Sequence, residues 1–175
     1  INDQFYKPLD NVARGEDYLF LARMSSIKGP DIAVDLARRC RIRLTMVGDD
    51  VFTAEPQLAM RLKAQAAASW GLISYVGPVS REQTVFHYSA HKALLHPIMN
   101  RYREPFGLSI CEAQLCGCVP IVGDNGSMQE LVKHGETGFV VATIEEMEDI
   151  IKTNAVNSID RAKCRAWIQT NFPVP

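Results

Sequence analysis

The stretch that decides the predicted fold is residues 103–120, REPFGLSICEAQLCGCVP. It passes from a polar loop through a short apolar helix into the beginning of a strand. We expect the helix to begin near Gly107, and the first amides of a helix lack intrahelical partners and therefore attract anions. These open amides are expected at Leu108, Ser109 and Ile110.

Two carboxylates flank the beginning of this helix. Glu104 precedes it, and Glu112 lies within it on a polar edge shared with Ser109. Gly107 has no Cβ, so another molecule can approach the backbone closely there. The residues alone also fit a simpler interpretation, in which Glu112 is a solvated surface residue and Glu104 is an ordinary loop charge.

Short apolar runs alternate with helical patterns on both sides of this stretch. The predicted strands are residues 18–22, 44–47, 72–76, 93–95, 119–122 and 138–141. The other predicted helices are residues 30–39, 54–70, 81–90 after a capping box at Ser80 and Gln83, 127–134, 144–152 and 158–170. The pattern predicts an α/β fold, an open parallel Rossmann-like sheet of about six strands with helices on both faces. Ligands of such sheets bind at the carboxyl ends of the strands.

Composition is that of an ordinary globular domain. The 175 residues are 47% hydrophobic and 22% charged, which is enough to bury one sizeable core. A net charge of -1 gives no sequence-wide reason to bind nucleic acid or an anionic membrane. No apolar run approaches the ~20 residues of a membrane span.

The polar opening residues lack a signal peptide and an initiator Met. We interpret the chain as a piece of a longer protein, with residues 1–10 as an interdomain linker remnant and residues 11–175 as the domain.

Cysteines and histidines raise the question of a metal site. The odd number of scattered cysteines favours reduced thiols in a cytoplasmic protein, at Cys40, Cys111, Cys116, Cys118 and Cys164. Cys111, Cys116 and Cys118 have C-x4-C-x-C spacing, which lacks the C-x2-C spacing and the second ligand pair of a zinc site. We therefore favour buried packing for these three thiols. A zinc site at His87, His91 and His96 is the alternative, but it lacks an acidic ligand. We therefore predict no metal, and we place His91 at the surface.

The segment from Glu104 to Glu112, with its flanks, resembles the E-x7-E signature of retaining GT-B glycosyltransferases of the glycosyl transferases group 1 family. Their sequence is close to E-x-F-G-L followed by E-A-M-A-x-G-x-P-V-V. This chain departs from that pattern at Gln114, Leu115 and Cys118. The departures preserve the apolar helix and the strand that follows it.

A second segment, ARMSSIKGPD at residues 22–31, resembles the G-R-L-x-x-x-K-G element of the same enzymes. Ala22 replaces the usual glycine and Met24 the leucine. Between the two elements the match is poorer, because His96 and Pro97 stand where the family has P-S and Ile98 replaces the serine. Asn125-Gly126 occupies the place of the family's Gly-Gly.

The resemblance implies a role for each matching residue. Arg23 and Lys28 hold the donor diphosphate, together with the helix start at Leu108 and Ser109. Glu104, Phe106 and Gly107 contact the transferred sugar, and Glu104 is the catalytic candidate. Glu112 accepts hydrogen bonds from the ribose, and the loop containing Gly77 and Val79 lies beside the base.

The implied protein is the C-terminal, donor-binding domain of a metal-independent retaining glycosyltransferase. Its substrate is a nucleotide diphosphate sugar, it needs no cofactor, and a second, N-terminal domain completes it. No nucleic acid or transmembrane segment is expected, while peripheral membrane contact of the parent enzyme stays open. The alternative is a non-catalytic nucleotide-binding or protein-interaction module with the same fold. An oxidoreductase would need a G-x-G-x-x-G fingerprint, which is absent.

Overall fold

The computed structural model describes residues 1–99 and 103–173, which contain one six-stranded sheet with helices on both faces. The strands are β1 Tyr18–Leu21, β2 Leu44–Val47, β3 Ile73–Gly77, β4 Ala93–His96, β5 Val119–Gly123 and β6 Phe139–Val141. The helices are α1 Pro30–Cys40, α2 Pro56–Ala67, α3 Arg81–Ala90, α4 Leu108–Leu115, α5 Met128–Leu131, α6 Ile144–Lys152 and α7 Arg161–Asn171. Two 3-10 helices cover Ser26–Lys28 and Ala155–Ser158. The predicted fold class is confirmed.

All neighbouring strands are parallel, in the order β3-β2-β1-β4-β5-β6. The order reverses between β1 and β4, so the loops that follow these two strands diverge and leave a crevice. Tyr18 of β1 pairs with Leu44 of β2 on one side and with Ala93 of β4 on the other. The sheet therefore places the loop containing Lys28 beside the loop containing Glu104.

Each face of the sheet has its own hydrophobic core. Tyr18 and Phe20 of β1 face a layer made by α1, α2 and α6. Leu19, between them, faces the opposite layer, which contains α3, α4 and part of α7. Strands covered on both faces are apolar at nearly every position, and this explains the continuous apolar runs of the sequence.

Three helices are shorter than predicted because side chains bond to the backbone at their ends. After α2, the Ser69 hydroxyl accepts a hydrogen bond from the Ile73 amide at 2.9 Å and turns the chain into β3. Before α7, the Asp160 side chain accepts from the Ala162 amide and sets the first turn. After α5, the Thr137 hydroxyl accepts from the Lys133 amide. In the described part of the chain, every helix falls short of the length and hydropathy of a membrane span.

The segment interpreted as a linker remnant packs onto the domain. Tyr6 is 3% exposed and joins the core that contains α4. The guanidinium of Arg165 donates to the carbonyl of Tyr6 at 2.8 Å and to the carbonyl of Leu115 at 2.6 Å. The segment is thereby tied to α7 and to the end of α4, and its continuation into another domain stays a prediction.

The structure corrects one histidine and confirms the packing of three cysteines. His91 is 7% exposed, and its Nδ1 lies 2.7 Å from the His87 carbonyl, so its placement at the surface was wrong. Cys111, Cys116 and Cys118 are fully buried, and burial raises the pKa of each thiol to about 12. Within residues 1–99 and 103–173, no three His, Cys, Asp or Glu side chains form a group that could hold a metal ion.

The capping box of α3 gives the first prediction. The Ser80 hydroxyl accepts from the Gln83 amide at 3.2 Å, and the Gln83 side chain accepts from the Ser80 amide at 2.8 Å. Ser80→Ala should lower the free energy of unfolding by about 1 kcal/mol, because an N-terminal amide of the helix loses its acceptor. Urea denaturation measures the change. Ser80→Thr keeps the hydroxyl and serves as the control, and equal losses in the two variants would contradict the capping argument.

Candidate functional site

The site is centred on an ion pair between two loops at the point where the strand order reverses. The Nζ of Lys28, after β1, contacts Oε2 of Glu104, after β4. Their side chains are only 14% and 12% exposed. The structure thus brings together one residue from each of the two sequence elements, a cation predicted for phosphate and a carboxylate predicted for sugar hydroxyls.

The loop that carries Lys28 is held by Glu55, which immediately precedes α2. One carboxylate oxygen of Glu55 accepts from the Ser25 hydroxyl at 3.0 Å and from the Ser26 amide at 2.8 Å. These hydrogen bonds lower the pKa of Glu55, with that of the Ser26 backbone acting most strongly. Sequence reasoning missed Glu55, because neither its residue type nor its distance along the chain from Lys28 indicates that it holds this loop.

The backbone around Glu104 is fixed by the turn after β5. Oδ1 of Asn125 accepts from the Glu104 amide at 3.1 Å, and the Ser127 amide donates to the Glu104 carbonyl at 3.3 Å. Gly126 lies between them at φ +57°, and a Cβ there would stand 2.0 Å from the Glu104 carbonyl oxygen. The Asn125-Gly126 pair therefore shapes the loop that presents the Glu104 carboxylate.

A buried histidine lies next to the same carboxylate. His96, the last residue of β4, is 3% exposed, and its Nε2 lies 4.0 Å from Oε2 of Glu104. Among the described residues, no group forms a hydrogen bond with this nitrogen. Burial, and secondly the charge of Lys28, lower the pKa of His96 to about 3, so the imidazole is neutral at pH 7.

The start of α4 differs in part from the prediction of three open amides. The Leu108 amide donates to the Phe106 carbonyl at 3.1 Å, and the Ile110 amide donates to the Gly107 carbonyl at 3.0 Å. Within residues 1–99 and 103–173, the Ser109 amide has no backbone or side-chain acceptor. One of the three predicted donors is therefore available to an anion, and two are already used.

Gly107 also has a packing role that the sequence did not reveal. A Cβ on this residue would lie 2.8 Å from the Cε of Met128 and 2.9 Å from the Cγ1 of Ile110. The absence of a side chain therefore lets α4 and α5 come together directly behind the Glu104 loop.

Two further predicted residues are more exposed. The Phe106 ring is 40% exposed and packs edge-on against Phe172, with ring centroids 6.0 Å apart. Arg23 is exposed in the loop after β1, and within the described part of the chain no residue forms an ion pair or hydrogen bond with its guanidinium. Both side chains can move toward a ligand without breaking a buried contact.

Glu112 is half-buried rather than freely solvated. The Tyr88 hydroxyl donates to its Oε2 at 3.3 Å. Nearby, Nε of Arg81 donates to the Tyr6 hydroxyl at 3.1 Å. Burial raises the pKa of Glu112, and this effect outweighs the lowering of the pKa by hydrogen bonds from Tyr6 and Tyr88 and by the charge of Arg81. Sequence reasoning did not predict these partners, because they come from the N-terminal segment and from α3.

The predicted base-adjacent loop borders an open pocket of about 560 Å³ beside β3. Gly77 lines this pocket and has φ +83°, which favours glycine. On the opposite wall, Oδ2 of Asp50 accepts from the Tyr75 hydroxyl at 2.9 Å and lies 2.7 Å from Nζ of Lys63. Val79 is half-buried against the core on the other side of the loop.

Comparison with known proteins identifies the family. Residues 4–170 match the family model described as Glycosyl transferases group 1. The chain belongs to the glycosyl transferases group 1 family. A curated member from Acidothermus cellulolyticus, D-inositol 3-phosphate glycosyltransferase, is 30% identical over 134 residues, covering 70% of this chain and 29% of that protein. The enzyme of the same name from Rhodococcus erythropolis is 29% identical over 131 residues, again covering 70% of this chain and 29% of that protein.

Solved structures of related proteins have the same fold as this group 1 domain. Anabaena Alr3699/HepE, in complex with UDP and glucose, superposes with a TM-score of 0.83 at 23% identity, covering 98% of this chain and 51% of that one. The C-terminal domain of the group 1 protein LpcC from Francisella tularensis superposes with a TM-score of 0.75 at 16% identity, and the match covers 100% of both chains. This chain thus spans about half of the first structure and less than a third of the curated relatives.

The close approach of Gly126 to Glu104 gives the second prediction. Gly126→Ala should destabilise the domain by at least ~1 kcal/mol more than a substitution that introduces only backbone strain, because the new Cβ displaces the Glu104 loop. The matched control is Gly135→Ala, since Gly135 also has a positive φ (+77°) but no atom within 4 Å of its Cβ position. Urea denaturation of both variants measures the difference, and equal destabilisation would contradict the clash.

The environment of Glu112 gives the third prediction. A carboxyl whose pKa is raised on folding binds its proton more tightly in the folded state, so stability falls as pH rises from its unfolded pKa through its folded pKa. Glu112→Gln keeps the shape and removes the charge. The variant should be more stable than the wild type near about pH 8, and the difference should shrink toward about pH 4. Urea denaturation across this range provides the measurement, and a constant difference would show that Glu112 does not titrate with folding.

Proposed function

We propose that this chain is the donor-binding domain of a retaining glycosyltransferase, which transfers a sugar from a nucleotide diphosphate sugar to an acceptor hydroxyl without a metal ion. The observation that carries the proposal is the contact between Lys28 and Glu104 at the reversal of strand order. A cation that suits phosphate and a carboxylate that suits sugar hydroxyls meet where open parallel sheets bind ligands.

The residues on the phosphate side supply positive charge without a metal ion. Lys28 provides a point charge, and the exposed Arg23 in the same loop provides a planar fork that can grip two oxygens. The Ser109 amide at the start of α4 adds an oriented donor. Positive groups and oriented donors around the departing diphosphate stabilise the charge that develops in the transition state.

The residues on the sugar side are acceptors, as hydroxyl recognition requires. The backbone of Glu104 is held by two hydrogen bonds: its amide donates to Oδ1 of Asn125, and its carbonyl accepts from the Ser127 amide. Glu112 lies about one turn into α4, and its carboxylate can accept from the two adjacent hydroxyls of a ribose. The Gly77 loop borders the space for the base. UDP is the first nucleotide to test, because HepE has been crystallised with UDP and with UDP-glucose.

We infer that a second domain supplies the acceptor site. The chain covers 51% of the HepE chain and 29% of the curated Acidothermus relative, so both proteins contain a large additional part. We place the parent enzyme in the cytoplasm, where five free thiols remain reduced. Any peripheral contact with a membrane would then be made from the cytoplasmic side.

The fourth prediction concerns nucleotide binding. In calorimetric titrations with UDP, GDP and ADP, the chain should bind one nucleotide preferentially, and EDTA should leave the affinity unchanged. Arg23→Ala and Glu112→Ala should each weaken binding by about ten- to a hundredfold, since a hydrogen bond to a charged group contributes ~1.5–3 kcal/mol. The isolated chain should transfer no sugar, because the acceptor domain is missing.

Arg38→Ala is the control for this experiment, because Arg38 is an exposed arginine on α1, away from the site. It should leave nucleotide affinity unchanged. A requirement for a divalent cation would contradict the metal-free donor site. If no nucleotide binds, titration of the full-length protein distinguishes a site completed by the second domain from a non-catalytic interaction module.

A further inference from the structure

The nitrogen Nε2 of His96 is a buried polar atom that the proposed donor site leaves unexplained. It has no hydrogen-bond partner among the described residues and no access to solvent. A buried N–H or lone pair without a partner costs ~1–3 kcal/mol, so its retention calls for a reason. Two charged groups lie close to it: the Glu104 carboxylate, whose Oε2 is 4.0 Å away, and Lys28, which is paired with that carboxylate.

The position of His96 is rigid. It is the last residue of β4, where its backbone pairs with Val122 of β5. The following residue, Pro97, packs against Gly29, where an added Cβ would stand 2.9 Å from the Pro97 carbonyl oxygen. The sheet and the Lys28 loop therefore hold the imidazole beside the ion pair, and only a short movement of the Glu104 side chain is needed for contact.

Donor binding creates a conflict within this cluster. A diphosphate carries more negative charge than one carboxylate, so it draws the Lys28 ammonium away from Glu104. Glu104 is 12% exposed, and a buried carboxylate that loses its cation needs another hydrogen-bond donor. A neutral imidazole with its proton on Nε2 is such a donor.

We propose that His96 is a positioning residue of the donor site, whose Nε2–H donates to the Glu104 carboxylate when Lys28 turns to the diphosphate. The inference rests on the proposed function. It explains why a histidine stands at this buried position and why its nitrogen has no hydrogen-bond partner among the described residues. The His96 hydrogen bond would then orient Glu104 toward the sugar.

A double-mutant cycle on UDP affinity tests the proposal, using calorimetry on the whole chain. His96→Leu should weaken UDP binding about tenfold, because Glu104 is left without a donor in the complex. In a Glu104→Gln background the same substitution should change the affinity by less than about twofold, since no buried charge remains to be satisfied. A purely structural role for His96 would give equal losses in both backgrounds, and that result overturns the proposal.

Two further variants separate the hydrogen bond from side-chain volume. His96→Gln keeps an N–H donor and should restore UDP affinity to within about threefold of the wild type. His87→Leu is the matched control, because Nδ1 of His87 is also buried without a partner among the described residues, on α3. It should leave UDP affinity unchanged. Failure of Gln to improve on Leu at position 96 would exclude a donor role.

A spectroscopic measurement observes the bond directly. In ¹H–¹⁵N spectra of the histidine side chains, UDP should shift the His96 Nε2–H proton downfield as it engages the carboxylate, and Glu104→Gln should abolish most of that shift. A His96 signal that UDP leaves unmoved overturns the inference while the proposed function stands. Absence of UDP, GDP and ADP binding by the wild type overturns the proposed donor site, and with it the role of His96.

Discussion

The contact between Lys28 and Glu104 depends on the adjacency of β1 and β4 in a parallel sheet whose strand order reverses between them. Residues 28 and 104 are 76 positions apart, and only this adjacency brings the loops after the two strands together. The sheet is buried on both faces by independent hydrophobic layers, so the two strand ends are fixed with respect to each other. The Lys28–Glu104 ion pair then forms at an edge that cannot be rearranged without disturbing both cores.

Around that ion pair, the loops are held by hydrogen bonds from residues to which the proposed function assigns no ligand contact. Glu55 holds the loop of Lys28 by its Ser25 and Ser26 contacts, and Asn125 holds the backbone of Glu104. Hydrogen bonds to the backbone fix where a side chain begins and leave its end free to change partner. This arrangement suits a site in which Lys28 pairs with a carboxylate in one state and with a phosphate in another.

The two carboxylates of the central motif lie in different environments. Glu104 is compensated by a lysine, whereas Glu112 lies among two tyrosines and the charge of Arg81, with its pKa raised by burial. A hydroxyl donor neutralises a buried carboxylate less completely than a cation does, so Glu112 retains capacity for further hydrogen bonds. Tyr6 belongs to the N-terminal segment, which links the entry of the chain into the domain to the residue expected at the ribose.

The sequence by itself determined the parallel α/β architecture and the approximate position of each strand. It also predicted that the loops of Lys28 and Glu104 lie at one edge of the sheet, where the structure brings the two side chains into contact. Apolar runs, a capping box and residue spacing are local properties. They predict the observed strands and helices because local conformational preference and burial favour the same structure. The helix ends at Ala67, Leu131 and Arg161 were less predictable, since individual side-chain bonds to the backbone set them.

Only the tertiary structure decided which residues meet. Contacts between distant segments decide the pairing of Lys28 with Glu104, the tyrosines around Glu112 and the buried position of His91. They also leave Nε2 of His96 without a hydrogen-bond partner among the described residues. Strand order and side-chain direction determine such contacts, and the spacing of residues in a sequence motif specifies neither of them.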